Sequence, residues 1–141
     1  MELRYKFSEN IYDGMIHNIF LFKNRDKNLI ADVIPKLVPL KVKKGDYIYK
    51  KGMQSNSVFI LFRGRVVFTT PRNSIFRHFV EGSYFGEIEI FKNCTRQFSV
   101  LAIKECELME LSRENFYTIM KDFPEFYMSM ECISRNQYSI L

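Results

Sequence analysis

Short apolar runs rich in β-branched and aromatic residues alternate with glycine-containing turns between Leu37 and Leu111. The runs read LVPLKV, YIY, SVFILF, RVVFTT, SIFRHFV, FSVLAI and ELMEL, and the intervening turns hold Gly45, Gly52, Gly64 and Gly82. Runs of this length, separated by turns at regular spacing, are typical of antiparallel strands in a sandwich or barrel. Glycine suits such turns because it adopts a positive φ at little cost. The pattern therefore predicts a jelly-roll-like antiparallel β-roll over residues 37–111.

Helical periodicity replaces the strand pattern on both sides of this roll. In residues 1–36, YDGMIHNIFLF and RDKNLIADVIPKL carry apolar residues at helical spacing, and Pro35 should end or kink the second helix. In residues 112–141, Ser112 is the predicted N-cap of a helix that stops before Pro124, where a final helix begins. The predicted fold class is mainly β with flanking helices: N-terminal helices, the roll, and two C-terminal helices in one domain.

Composition narrows the classes of function. The chain of 141 residues is 47% hydrophobic, enough for one core, and no run of 18 apolar residues predicts a membrane span. The net charge is +5, but the basic residues are scattered rather than gathered on one helix, which argues against a nucleic-acid interface. The cysteines, Cys94, Cys106 and Cys132, lack CxxC spacing, which indicates a reducing compartment; His17 and His78 complete no zinc pattern. No metal site or cofactor is predicted.

Catalytic motifs are missing from the sequence. It contains no HExxH, no Walker loop, and no nucleophile and base at a recognised spacing. An enzyme is therefore not the favoured reading, and no catalytic residue is predicted.

The stretch YFGEIEIFKNCTRQFSV holds the residues that suggest a binding site. Gly86 would let backbone N–H groups approach an anion closely, and Arg96 has the fork of donors best matched to phosphate oxygens. Glu87 could accept hydrogen bonds from a sugar hydroxyl, as acidic residues do for ribose in dinucleotide sites. Together these groups suit a nucleotide. The plainer alternatives are a structural salt bridge from Arg96 to Glu87 or Glu89, and a helix-start carboxylate at Glu87.

The chain resembles the cyclic nucleotide-binding domain family in several spaced motifs. These are the GD turn, FRGRV, EGSYFGEI, an arginine nine residues after the glutamate, SVLA and LSRENF. The resemblance implies that residues 84–100 form a phosphate-binding cassette, with Glu87 on the ribose and Arg96 on the phosphate of cAMP or cGMP. The implied ligand-binding set is Phe85, Gly86, Glu87, Ile88, Glu89, Arg96, Gln97 and Phe98.

Three residues depart from the family pattern. Glu89 and Phe98 stand where the family has small side chains, and Gln97 fills a position where threonine is associated with guanine preference. We expect the Glu89 backbone N–H to face the phosphate while its carboxylate turns to water, because a like charge facing the phosphate would be unfavourable. Phe98 could press on the ligand or fill its place. Gln97 leaves the choice of base open, with cAMP favoured.

The base of the nucleotide has weaker predicted contacts. Thr69 and Phe79 lie on strands that would face it, although both could be ordinary residues of the roll. The resemblance also implies that the last helix closes over the base, with Arg135 as the contact and Ile133, Gln137 and Tyr138 beside it.

The resemblance implies a regulatory domain that couples nucleotide binding to gating of an ion channel. Residues 1–36 resemble the end of the linker between a channel pore and this domain, which implies a cytoplasmic domain of a membrane protein, in a homotetramer. Two alternatives stay open: an interaction module of the same fold with a degenerate pocket, and a sensor module of a cyclic-nucleotide-dependent kinase.

Overall fold

Eight strands in two antiparallel sheets form the centre of the computed structural model, which describes residues 27–70, 72, 74–129 and 131. The strands are β1 (Val38–Val42), β2 (Tyr47–Tyr49), β3 (Ser57–Arg63), β4 (Val66–Thr69), β5 (Ile75–Phe79), β6 (Tyr84–Phe85), β7 (Ser99–Ala102) and β8 (Cys106–Ser112). One sheet has the order β1-β8-β3-β6 and the other β2-β7-β4-β5, and all pairs are antiparallel. The predicted fold class, an antiparallel roll with flanking helices, is confirmed.

Helices border the roll as the sequence predicts. They are α1 (Lys27–Val33) with a 3-10 turn (Ile34–Lys36), α2 (Glu87–Lys92), α3 (Arg113–Asp122) and α4 (residues 124–129). Within these bounds no helix is long and apolar enough to cross a membrane. The helix predicted in YDGMIHNIFLF lies outside the described residues, as does the predicted end of the last helix with Ile133, Arg135, Gln137 and Tyr138.

Local signals account for where the helices begin and end. Pro35 lies in the 3-10 turn directly after α1, so the predicted break is confirmed. The Ser112 hydroxyl accepts a hydrogen bond from the Asn115 N–H at 3.1 Å, which confirms the predicted N-cap of α3. α4 starts at Pro124. Proline is tolerated in the first turn of a helix because the N–H groups there have no acceptor within the helix.

Strand β3 separates two hydrophobic cores. Its side chains alternate: Val58, Ile60 and Phe62 pack with α1 and α3, whereas Phe59 and Leu61 point into the roll. Because both faces are covered, SVFILF reads as a continuous apolar run rather than as an alternating one. The core inside the roll includes the last residue of β6, so it lies directly beneath the predicted binding stretch.

Gly64 provides a test of the roll. Its φ is +106°, and a Cβ there would lie 2.5 Å from the Glu105 carbonyl oxygen and 2.8 Å from Cys106 Sγ. At Gly45, where φ is +92°, a Cβ would meet no atom of the described residues within 4 Å. Each change to alanine should cost about 1–2 kcal/mol for the left-handed backbone. Gly64→Ala should cost about 1–3 kcal/mol more than Gly45→Ala because of the steric clash, measured by urea unfolding. Equal losses would contradict the packing described.

Candidate functional site

Gly86 connects β6 to α2 through a left-handed turn with a φ of +92°. A Cβ at this position would lie 3.1 Å from Arg96 Nη1 and 3.2 Å from the Ser57 carbonyl oxygen. The group that approaches this glycine in the structure is the Arg96 guanidinium. The approach of backbone N–H groups to an anion at Gly86 stays a prediction.

The guanidinium of Arg96 is buried at the centre of the site, with 2% of the residue exposed. Nη1 donates to the Gly86 carbonyl at 2.6 Å and to Glu89 Oε1 at 3.1 Å, and Nη2 donates to the Ser57 carbonyl at 2.6 Å. The guanidinium carbon lies 4.0 Å from the ring centroid of Tyr49, a cation–π contact. Nε has no hydrogen-bond partner in the described part of the chain. Arg96 therefore points inward with one buried donor to spare.

Glu89 occupies a different environment from the one its sequence position suggests. Only 1% of the residue is exposed; Oε1 accepts from Arg96 and Oε2 accepts from the Gln97 backbone N–H at 3.3 Å. The expectation that this carboxylate turns to water is wrong, because the Arg96 charge and the Gln97 amide compensate for its burial. The plainer alternative, an Arg96–Glu89 ion pair, is present in the structure.

Glu87 is equally buried but forms no ion pair with any residue that the structure describes. It is 1% exposed, and its Oε2 has no hydrogen-bond partner in the described residues. Burial raises the pKa of its carboxyl from an ordinary 4.5 to about 7, and the Glu89 charge acts in the same direction. Its own backbone N–H and the positive charges of Arg77 and Arg96 oppose this rise in pKa without cancelling it. Near neutral pH the carboxyl thus exchanges between its protonated and ionised forms.

The remaining predicted cassette residues pack around this polar centre. Phe85 and Ile88 are buried, and the Phe85 ring stacks on Phe59 with centroids 5.6 Å apart. Phe98 is half-buried, packs against the core of the roll and stacks on Phe68 with centroids 6.1 Å apart. The Gln97 side-chain amide donates to Cys94 Sγ at 3.6 Å.

The two predicted base contacts on strands lie close to the same aromatic cluster. Phe79 is buried with its ring centroid 4.7 Å from that of Phe68, and Thr69 donates from its hydroxyl to the Ser99 carbonyl at 3.4 Å. Both residues have internal packing roles, and their contact with a base stays a prediction.

A model of the family described as cyclic nucleotide-binding domain matches residues 39–123, more than half of the chain. The chain belongs to the cyclic nucleotide-binding domain family. It is 29% identical over 120 residues to the human potassium/sodium hyperpolarization-activated cyclic nucleotide-gated channel 4, a match that covers 85% of this chain and 10% of the channel. The whole channel is thus about ten times longer than the part that this domain spans.

Two solved structures share the fold of this cyclic nucleotide-binding domain. One is PfPKA-R (141–441) with cAMP bound, with a TM-score of 0.80 and 21% identity, covering 96% of this chain and 47% of that one. The other is the regulatory subunit of a cAMP-independent protein kinase A from Trypanosoma brucei, with a TM-score of 0.82 and 20% identity, covering 96% and 48%. The fold therefore occurs both with bound cAMP and in a kinase described as cAMP-independent, and it does not by itself decide the ligand.

Three residues of the site have no counterpart in the sequence predictions. The ring of Tyr49 and the carbonyl of Ser57 hold Arg96, and Arg77 places a positive charge near Glu87 while its guanidinium lies 4.7 Å from the Phe79 ring centroid. Tyr49 and Ser57 lie about 40 residues or more before Arg96, so no local motif connects them. Of these three residues, only Arg77 could have been suspected from the sequence, because it is a cation within the apolar run SIFRHFV.

Helix α3 is bonded to the end of α2 through two side chains. Arg113 Nη2 donates to Asn93 Oδ1 at 2.6 Å, where Asn93 ends α2 in the left-handed conformation. The Tyr117 hydroxyl donates to the Ile90 carbonyl at 3.2 Å and accepts from Arg113 at the same distance. A displacement of α2 would therefore strain or break these hydrogen bonds to α3.

Glu87→Gln should remove a pH-dependent loss of stability from this domain. An unfolded carboxyl releases its proton near pH 4.5 and the folded one near 7, so ionisation destabilises the fold as the pH rises between these values. Relative to Glu87→Gln, the free energy of unfolding of the unmodified chain should fall by up to about 3 kcal/mol from pH 4.5 to 8.

Urea unfolding at pH 5, 6, 7 and 8 measures this difference. Glu105→Gln, which neutralises an exposed carboxylate, is the control and should follow the unmodified chain. If Glu87→Gln also follows it, the carboxyl is not desolvated as described.

Proposed function

We propose that this domain binds a cyclic nucleotide, preferably cAMP, in the cassette and relays the binding event to an attached effector. One observation carries the proposal: the cassette buries a donor, Arg96 Nε, and an acceptor, Glu87 Oε2, that have no partner within the part of the chain that the structure describes. A buried polar atom without a partner costs free energy, so the site favours a ligand that supplies an acceptor to the first and a donor to the second.

A ribose phosphate carries, on one molecule, both the acceptor that Arg96 lacks and the donor that Glu87 lacks. A phosphate oxygen would accept from the Arg96 guanidinium, and a ribose hydroxyl would donate to the Glu87 carboxylate. Membership of the cyclic nucleotide-binding domain family supports this class of ligand over other sugar phosphates. Thr69, Phe79 and, on the last helix, Arg135 are the proposed base contacts.

Ligand entry requires rearrangement because both unpartnered atoms are buried. A shift of α2 would reach α3 through the Asn93–Arg113 and Ile90–Tyr117 hydrogen bonds, and the last helix follows α3 after the break at Pro124. Ligand binding then favours the rearranged state by the difference between its affinities for the two states.

The proposed effector is an ion-channel pore, with this domain on its cytoplasmic side and residues 1–36 as part of the linker, in a homotetramer. The similarity to hyperpolarization-activated channels supports it. A kinase regulatory module is the second candidate, supported by the likeness in fold to the regulatory subunit of the Trypanosoma brucei kinase.

A ligand-free interaction module is the remaining candidate, and the Arg96–Glu89 ion pair favours it. In this arrangement the principal cation of the cassette already has an internal counter-charge at 3.1 Å. Such a module would keep the closed cassette whatever nucleotide is present.

Isothermal titration calorimetry with cAMP and cGMP tests the proposed function. We expect saturable binding of both, tighter for cAMP, and a loss of about 10- to 100-fold in affinity in Arg96→Lys, which keeps the charge but lacks the guanidinium fork. Arg65→Lys, a substitution of the same kind at an exposed position, should bind as the unmodified chain does. No saturation at millimolar concentrations of either nucleotide in the folded domain would favour the ligand-free module.

Nucleotide affinity should also depend on pH through Glu87. A ribose hydroxyl donates better to the ionised carboxylate, so binding would lower the pKa of Glu87 and release a proton below pH 7. The association constant for cAMP should therefore rise about tenfold from pH 6 to pH 8 and then level off. In Glu87→Gln the affinity should be lower and should lack this rise. A flat profile for the unmodified chain would contradict the assignment of Glu87 to the ribose.

A further inference from the structure

The Glu89 carboxylate makes the contacts expected of a bound anion. One oxygen accepts from Arg96 Nη1 at 3.1 Å, and the other accepts from the backbone N–H of Gln97 at 3.3 Å. A guanidinium edge next to a main-chain amide is a typical anion-binding pair, and phosphate oxygens use the same donors as carboxylate oxygens do. Both charged residues are almost fully buried, Glu89 with 1% and Arg96 with 2% exposed, so this is a buried ion pair and not a surface one.

We propose that Glu89 is a tethered occupant of the anion subsite, an internal carboxylate that the phosphate of the ligand must displace. As far as the nucleotide is concerned, the inference rests on the function proposed above. The occupied subsite itself follows from the contacts alone and can be tested without a nucleotide.

Charge balance explains why the two anions compete. Arg96 is the one cation in hydrogen-bond contact with Glu89 among the described residues, and its other bonds go to the uncharged carbonyls of Gly86 and Ser57. A phosphate that entered beside the carboxylate would place two negative charges next to one guanidinium in a dry site, with Glu87 close by. The phosphate therefore binds where Glu89 leaves.

Displacement of Glu89 would also start the movement that the proposed function requires. Glu89 lies on α2, and the end of the same helix is held to α3 through Asn93 and Arg113. Release of the carboxylate from Arg96 and Gln97 removes two contacts that fix α2 against the roll. In this way the internal anion lowers the affinity for the ligand and sets the resting position of the helix.

Inorganic phosphate tests the subsite directly. Glu89→Ala empties the anion position while Arg96 keeps both carbonyl acceptors, so 50 mM phosphate should raise the Tm of this variant by about 3 °C more than that of the unmodified chain. Glu89→Gln is the second variant; its amide keeps one acceptor oxygen and replaces the other with an NH2 donor, so its Tm should respond to phosphate less than that of Glu89→Ala and more than that of the unmodified chain. Glu105→Ala, which removes an exposed carboxylate and changes the net charge equally, should respond as the unmodified chain does.

The extra rise in Tm that phosphate causes in Glu89→Ala must also depend on Arg96. Adding Arg96→Lys to Glu89→Ala should abolish most of the extra rise in Tm. If Glu89→Ala and Glu105→Ala respond to phosphate equally, Glu89 does not occupy an anion subsite and the inference is wrong. If Glu89→Ala does not fold, Glu89→Gln decides the same question.

Titration with cAMP separates this inference from the proposed function. Glu89→Ala should bind cAMP about 10- to 100-fold more tightly than the unmodified chain. Equal or weaker binding by the folded variant overturns the inference and leaves the proposed function standing. If the variant binds cAMP and the unmodified chain does not, the inference is supported and the proposed function of the unmodified chain fails.

Discussion

One buried guanidinium holds the candidate site together. Arg96 bonds to a carbonyl of β3, to the turn at Gly86 and to Glu89 of α2, and it lies against the ring of Tyr49 in β2. Burying a charge is unfavourable unless it is paired and hydrogen-bonded, and here each of these elements contributes to that compensation. The loop after α2 is therefore fixed to both sheets of the roll through a single side chain.

This arrangement divides the cassette into a satisfied half and an unsatisfied half. The Arg96–Glu89–Gln97 contacts form a closed set of hydrogen bonds, whereas Glu87 Oε2 and Arg96 Nε are buried and have no partner among the described residues. A cassette with only a structural role would be more stable without these two unpartnered atoms. A binding site open to its ligand would bind an anion more tightly without Glu89. Both features agree with the proposed binding site, in which Glu89 is an internal anion that takes the place of a ligand.

Much of the fold was predictable because its signals are local. The strand-length runs, the turn glycines, the break at Pro35 and the cap at Ser112 each depend on a few neighbouring residues, and the structure has them as expected. The family was recognisable for a similar reason, since EGSYFGEI and Arg96, nine residues after Glu87, lie in one stretch. The need for glycine at position 86 was also visible, although the group that approaches it was not.

The sequence by itself determined the β-roll, its flanking helices and the presence of an acid, a glycine and an arginine in one cassette, because periodicity and turn chemistry act over short distances. Only the tertiary structure decided which charges meet. Whether Glu89 faces water or Arg96, and whether Glu87 keeps its ordinary pKa, depends on burial by strands that lie far away in the chain. The free energy of a charge is set by the solvent and partners around it, and these exist only after the sheets have closed over the cassette.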